Sequence, residues 1–389
     1  MLGTLAVENY RSLRKLIVPM GRLNVIQGAN GSGKSNLYKA LRLLADTAAG
    51  GIVSSLAREG GLKSTFWAGP EKLSRDMRLG KVPVQGTQRS EPMRLKLGFS
   101  GEEFGYAITM GLPPQSPKEP SLFNLDPEIK REVIWHGPIF KPETILVDRH
   151  GPVARARTEK GWESIAENLN LFESLFVQVA DPQRAPEVLL LREMIRGWRF
   201  YDQLRTDADA PCRAARLGTR TPVLAHDGSD LAAALQTILE VGDAPAVAEL
   251  VDAAFPGASV NITRDEGCRF AVQFNQPGLL RPLSGAELSD GTLRFLLLLA
   301  ALLTPRPPQM MVLNEPETSL HPSLLPALAQ LIRKAAEQMQ LWVVTHSPVL
   351  IAALAEDDGA SLIELHKDFG QTQVKGQDPL DLPMWRWVE

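Results

Sequence analysis

The chain has 389 residues, 44% of them hydrophobic and 22% charged, which excludes a disordered polymer, a collagen-like fibre and a mainly coiled-coil rod. A formal net charge of −3 excludes a globally basic nucleic-acid binder and leaves only a local basic patch. Cys212 and Cys268 lie far apart without zinc or disulfide spacing, and read as thiols of a reducing compartment.

Met1 to Arg11 lacks the basic start and apolar core of an export leader. The longest apolar run, Phe295 to Leu303, is about half of what a membrane-spanning helix needs. The expectation is a cytoplasmic protein that meets no membrane.

Taken in chain order, Leu23–Gln27 is short, apolar and β-leaning. A glycine-rich turn follows from Gly28 to Gly33, and Lys34–Ala45 carries Leu37, Leu41 and Leu44 at helical spacing. Strand, loop and helix in that order open a parallel α/β unit. Met93–Phe99 and Tyr106–Met110 alternate about a turn at Gly101–Glu103 and predict a hairpin. Pro113–Pro120 is a proline-rich loop, and Glu132–Trp135 and Thr144–Val147 are further strands.

From about 164 to 255 the chain reads as mainly helical. Pro186–Tyr201 places Val188, Leu191, Ile195 and Trp198 on one face, and Asp230–Val241 and Ala246–Phe255 follow suit. Strands return at Ser259–Thr263 and Phe270–Phe274. They are followed by an apolar helix near Gly291–Leu303, a strand at Met310–Leu313, a helix at Ser323–Met339 and a strand at Leu341–Thr345. No internal repeat or sustained heptad is present.

Gly28-Ala29-Asn30-Gly31-Ser32-Gly33-Lys34-Ser35 satisfies the P-loop template G-x-x-x-x-G-K-[ST] at every fixed position. Its glycines let the N–H groups of Asn30, Gly31, Ser32 and Gly33 turn inward as an anion nest, beside the positive end of the following helix. Lys34 would bridge the β- and γ-phosphates and the Ser35 hydroxyl would ligate Mg²⁺. The C-terminal half has no N-K-x-D guanine reader, which favours ATP.

Met310 to Glu317 is an apolar run ending in polar groups, as expected of a Walker B strand buried on both faces. At its tip Glu315 would polarise the water that attacks the γ-phosphate. The next strand brings Thr345-His346-Ser347 to the same edge, where His346 either reaches the γ-phosphate or serves as a capping or packing histidine.

With Leu288-Ser289-Asp290-Gly291-Thr292 placed before the long apolar helix, the set resembles the ABC-type ATPases of the Rad50, SMC and RecF-like branch. That branch includes small AAA-type, OLD-like ATPases without coiled coil or nuclease domain. The resemblance implies a P-loop NTPase of α/β class, an ATPase head with an antiparallel β subdomain and an inserted helical subdomain. Its parts would be residues 1–163, 164–257 and 258–389.

The resemblance also implies that Ser289 and Gly291 bind the γ-phosphate of ATP held by a second subunit, giving an ATP-dependent homodimer. Leu283-Ser284-Gly285-Ala286-Glu287 is a competing signature. Ser289 is preferred because its glycine lies immediately before the helix. Gln178 is the candidate for the family's magnesium-coupling glutamine, and Arg11 for a residue approaching the nucleotide. Asn314 stands where the family has a metal-binding aspartate, so Mg²⁺ would be held with less charge and hydrolysis would be slow. His321 stands where many relatives have aspartate.

Three functions follow from the resemblance. The first is an ATP-driven switch acting on DNA or a partner protein in DNA maintenance or anti-phage defence. The second is a weakly or non-hydrolysing sensor that scaffolds an effector, and the third a transporter's nucleotide-binding subunit. The place to look for nucleic-acid contact is Arg192–Arg220, with seven arginines against four acids. Such a run is also what a solvated helix face carries.

Overall fold

A computed structural model describes residues 1–84, 86, 92–114, 122–202, 204–378 and 382–387. Most of the proline-rich loop lies outside the described residues. The chain divides into two compact units, one of residues 1–20, 28–197 and 363–389, the other of residues 21–27 and 198–362.

In the first unit, β1 (Leu2–Tyr10) and β2 (Leu13–Pro19) pair antiparallel. After β3 (Leu23–Gly28), which lies in the second unit up to Gln27, come α1 (Lys34–Ala48), α2 (Ile52–Arg58), α3 (Leu62–Thr65) and α4 (Arg75–Arg78). Strands β4 (Leu95–Gly101), β5 (Phe104–Gly111), β6 (Glu128–His136), β7 (Ile145–His150), β8 (Val153–Thr158) and β9 (Gly161–Ala166) complete an antiparallel sheet in the order β2-β1-β4-β5-β6-β7-β8-β9. The period of two explains its buried face, since Leu95, Leu97, Phe99, Tyr106, Ile108 and Met110 are all fully buried. The expected hairpin is β4–β5.

Short α5 (Leu175–Gln178) and α6 (Pro186–Arg196) pack with α1. A buried ion pair anchors this corner. Arg149 and Glu132 meet at 2.7 Å with both side chains fully buried. Tyr106 Oη, Ser174 Oγ and the Leu175 N–H also donate to Glu132, as a buried carboxylate requires.

The second unit contains β10 (Arg199–Tyr201), β11 (Arg216–Leu217), α7 (Leu231–Val241), α8 (Ala244–Ala254), β12 (Ser259–Arg264), β13 (Arg269–Asn275), β14 (Leu283–Ser284), α9 (Asp290–Leu302), β15 (Met310–Asn314), α10 (Leu325–Ala336), β16 (Gln340–Val344) and α11 (Pro348–Ala355). A parallel sheet runs β10-β15-β16-β3, with β16 seated between Asn314 and Ile26 through Val344. Strand β16 is buried throughout and β15 up to Leu313, which is why both read as continuous apolar runs. Every residue of α9 from Leu293 to Leu302 is buried, and all of them but Arg294 are apolar. The closing hairpin of β17 (Ala360–Asp368) and β18 (Gln371–Val374) returns to the first unit from Ile363 onward.

The boundary between the two units falls at Gly197, within residues 164–257, and one expectation about an element is corrected. The helix expected over Pro186–Tyr201 stops at Arg196, and Arg199–Tyr201 pairs with Met311–Leu313 of β15. Sheet pairing overrides the helical period there, although Val188, Leu191, Ile195 and Trp198 are all buried as expected. Among the described residues no helix is long and apolar enough to cross a membrane.

Candidate nucleotide site

In the first unit the loop after β3 bends at Gly28 (φ +149) and Gly33 (φ +112). A Cβ would lie 2.3 Å from the Leu365 carbonyl oxygen at Gly28, and 2.1 Å from Thr372 Oγ1 at Gly33. Conformation and space both demand glycine. Lys34 is buried, and its ammonium donates to the carbonyls of Gly28 at 2.6 Å and Ala29 at 3.3 Å. One of its three donors is unspent.

No side chain caps α1. Asn30, Gly31 and Ser35 are exposed, and the buried Ser32 hydroxyl has no partner among the described residues. An uncapped helix start beside an orphaned buried hydroxyl is what an anion completes. The loop therefore fits a nucleotide phosphate, with Ser35 Oγ as the oxygen it offers Mg²⁺.

Beneath the loop lies a polar cluster the motif does not announce. Ser12 Oγ and Thr372 Oγ1 are 2.7 Å apart, Asn36 Nδ2 donates to Ser12 Oγ at 2.7 Å, and Thr372 Oγ1 donates to the Ser32 carbonyl at 2.8 Å. Thr372 lies 340 residues after Ser32, so no local pattern could have linked them.

Arg11 and Gln178 are placed elsewhere than expected. Arg11 donates to Glu59 Oε2 from Nη2 at 2.8 Å and from Nε at 3.1 Å, and the Tyr10 phenol shares that oxygen at 2.6 Å. Burial, then Glu59, pushes the Tyr10 phenol well above its ordinary value. The guanidinium thus joins β1 to the end of α2. The Gln178 amide is spent on the loop before α5: its oxygen accepts from the Asn170 N–H at 2.6 Å, and Nε2 donates to the Asn170 and Glu173 carbonyls. The adjacent Val177 lies against Gly50, past the far end of α1. About 22 Å of helix separates that corner from Ser35.

In the second unit, the ends of β15 and β16 gather several polar groups. Asn314 is half-buried as the last residue of β15. Glu315 adopts φ +50, and its N–H donates to the Val344 carbonyl at 2.8 Å. Its carboxylate lies 3.4 Å from His346 Nε2, with both side chains open to solvent. Glu317, two residues on, accepts from Thr345 Oγ1 at 2.5 Å and from the His346 N–H at 3.1 Å. His321 is exposed and caps a turn through Ser323.

The two signature candidates separate clearly. Ser289 is the N-cap of α9 and accepts from the Thr292 N–H at 3.1 Å. Ser284 is paired into β14 and its hydroxyl is held by Glu287. Arg213 secures the loop before α9, donating to the Leu288 carbonyl at 2.7 Å and to Asp290 at 2.6 Å. It leaves Ser289 exposed and Gly291 half-exposed at the helix start.

The arginines of residues 192–220 are largely matched by acids. Arg192 and Arg196 face Glu193, Arg205 faces Asp207, Arg213 faces Asp290 and Arg220 faces Glu240. Further positive charge lies on the first unit's sheet, part of it paired, with Lys96 facing Glu8, Lys130 facing Glu128 and Arg131 facing Asp148. One rung of register runs Lys15, Glu8, Lys96, Thr109, Arg131, His150 across β2, β1, β4, β5, β6 and β7. Two adjoining grooves of about 770 and 780 Å³ share Glu8, Lys96 and Arg131 of that rung. They add Arg94, Lys130 and Arg386, against Glu71 as the other acid besides Glu8. The neighbouring apolar strip is sealed by the C-terminal tryptophans, with Trp385 packed 5.6 Å from Trp135 and 5.2 Å from Trp387.

The family model described as "AAA domain, putative AbiEii toxin, Type IV TA system" matches residues 23–352. No curated protein matches. Among solved structures, the SmcHead bound to the C-winged helix domain of ScpA is 14% identical over 96% of this chain and 97% of that one, with a TM-score of 0.52. The SMC head domain from Thermotoga maritima is 16% identical over 97% and 99%, with a TM-score of 0.46. The Smc head domain with an extended coiled coil, bound to the C-terminal domain of ScpA and derived from Pyrococcus furiosus, is 13% identical over 96% and 95%, with a TM-score of 0.49. At such identities the first of these speaks for fold alone. The chain belongs to the AAA-domain family whose model spans residues 23–352, and its fold is that of an SMC-like, ABC-type P-loop ATPase head.

Proposed function

We propose that this protein binds ATP with Mg²⁺ at Gly28–Ser35, hydrolyses it slowly, and uses an ATP-dependent homodimer as a switch acting on nucleic acid. The observation that carries the proposal is the phosphate loop, with an uncapped helix start, a buried lysine and an orphaned Ser32 hydroxyl. Lys34 neutralises the β- and γ-phosphates and the loop N–H groups hold them in place. Glu315 takes the proton of the attacking water, and His346 beside it orients that carboxylate. Ser289 and Gly291, presented at the start of α9, contact the γ-phosphate held by the second copy. Ser35 Oγ would be the loop's oxygen for Mg²⁺, which would supply positive charge to the phosphates. Asn314 adds no negative charge where the family has an aspartate, and turnover is slow for that reason. The basic grooves of the first unit's sheet support nucleic acid as the object of the switch.

The test is phosphate release by purified protein. Wild type releases phosphate from ATP, whereas Glu315→Gln binds ATP with unchanged affinity, stops releasing phosphate and accumulates as a dimer. Equal release by both proteins sinks the role of Glu315. Asn314 favours a second reading, in which the protein senses ATP without hydrolysing it and scaffolds an effector. Wild-type dimerisation on ATP with no release would select that reading.

A further inference from the structure

We propose that Glu317 is the positioning residue of the hydrolytic step, fixing the turn after β16 so that His346 faces Glu315; this rests on the ATPase reading above. Glu317 follows Glu315 by two residues in a turn that starts at a positive φ, and it reaches across from the end of β15 to the end of β16. One oxygen, Oε1, accepts both the Thr345 hydroxyl and the His346 N–H. Thr345 is fully buried. Its hydroxyl in turn accepts the Ser347 N–H at 3.0 Å, which leaves its own proton for Glu317. Ser347 caps α11 by accepting from the Leu350 N–H. One carboxylate oxygen thereby ties the backbone of Thr345 and His346, just ahead of α11, to the end of β15.

The opposite side of the pair is held separately. The Glu315 N–H is bonded to Val344, and Arg294 of α9 donates to the Glu315 carbonyl at 3.4 Å and the Leu204 carbonyl at 2.9 Å. Arg294 Nε and Glu317 Oε2 are both buried without a hydrogen-bond partner among the described residues. Burial pulls the Arg294 guanidinium below its ordinary value, and Glu317 is the first charge that lifts it back. A buried oxygen without a donor is costly unless a neighbouring cation offsets it. Glu317 thereby couples to Arg294 of α9, while Oε1 does the positioning.

Glu317→Ala removes the acceptor, and Glu317→Gln keeps an acceptor oxygen in the same place. We expect kcat for ATP to fall about 30-fold in Glu317→Ala, with KM within about twofold, because misplaced reacting groups cost rate and not binding. Glu317→Gln should return kcat to within about threefold of wild type. Hydrogen exchange at the His346 amide should quicken about tenfold in the alanine variant and stay protected in the glutamine variant. Amides of the β4–β5 hairpin report whether either variant is simply unfolding. An unchanged kcat in Glu317→Ala, a glutamine variant no better than alanine, or unchanged His346 exchange would each overturn the role. Wild type that releases no phosphate while His346 exchange still responds overturns the ATPase reading alone.

Discussion

In the phosphate loop, glycines and Lys34 shape the backbone within eight consecutive residues, and a buried lysine ammonium closes the turn on itself. At the ends of β15 and β16 the polar groups come from two strands far apart in sequence, and they are ordered by side chains gripping one another across the gap. The first arrangement is a property of backbone conformation, and few substitutions can leave it intact. The second is a set of contacts made one side chain at a time, in which Glu317 fixes the turn that carries His346. Binding should therefore respond sharply and singly to changes in the loop, while chemistry should respond in grades to changes at the strand ends.

The sharpest way to break this contrast is Lys34→Ala. It removes the only cation within the loop, and ATP affinity measured by titration with a fluorescent analogue should fall at least about 100-fold, or about 2.7 kcal/mol. A loss smaller than about fivefold would mean that backbone N–H groups alone hold the phosphates, and that the loop too is a set of contacts made one at a time.

Charge shows the same contrast. The arginines of residues 192–220 are contiguous in sequence yet largely answered by neighbouring acids. The basic rung is scattered through the sequence and assembled by strand register. Lys15 and Arg94 are exposed and have no carboxylate partner among the described residues, so charge reversal there risks little of the fold. Lys15→Glu with Arg94→Glu should weaken a single-stranded oligonucleotide about 30-fold and flatten its salt dependence, because contacts to phosphates release counterions. Arg196→Glu with Arg220→Glu should change it less than about twofold. The reverse ranking would return the nucleic-acid surface to the helical segment.

Arg213 offers a milder test, since it acts on the signature loop from behind. Its donors hold the Leu288 carbonyl and the Asp290 carboxylate, and Arg213→Ala frees both. ATP-dependent dimerisation, measured by sedimentation with the Glu315→Gln protein, should weaken about tenfold. ATP binding by the single chain should be unchanged.

What the sequence discloses follows the same division. The loop, the β4–β5 hairpin, and the apolar runs of β15, β16 and α9 are legible because each depends on residues within a dozen positions. Ser289 and Ser284 differ in placement for a local reason, as one starts a helix and the other pairs in a strand. Strand β10 was not legible, because three residues after a helical run carry no period of their own and become a strand only beside β15. The partners of Gln178 and Arg11 are not legible, because their local motifs say nothing about which carbonyl or carboxylate will claim their donors. Glu317 was visible as a residue but not as a role, since its partners lie one strand away.

Thr372 gives the smallest effect and the most direct test of whether the phosphate loop is as self-contained as its motif suggests. Its hydroxyl supports the loop from β18 by donating to the Ser32 carbonyl and meeting Ser12 Oγ, and its side chain lies against Gly33, where a Cβ could not fit. Thr372→Val keeps the shape and removes the hydroxyl, leaving buried polar groups unpaired at a cost of about 1–3 kcal/mol in denaturant unfolding. If the loop needs this support to hold its N–H groups in place, ATP affinity should fall as well, by about fivefold. Stability lost with affinity unchanged would mean that Gly28–Ser35 holds its geometry alone, with β18 merely packed against it. Both lost together would show that the local motif, too, depends on a contact spanning almost the length of the chain.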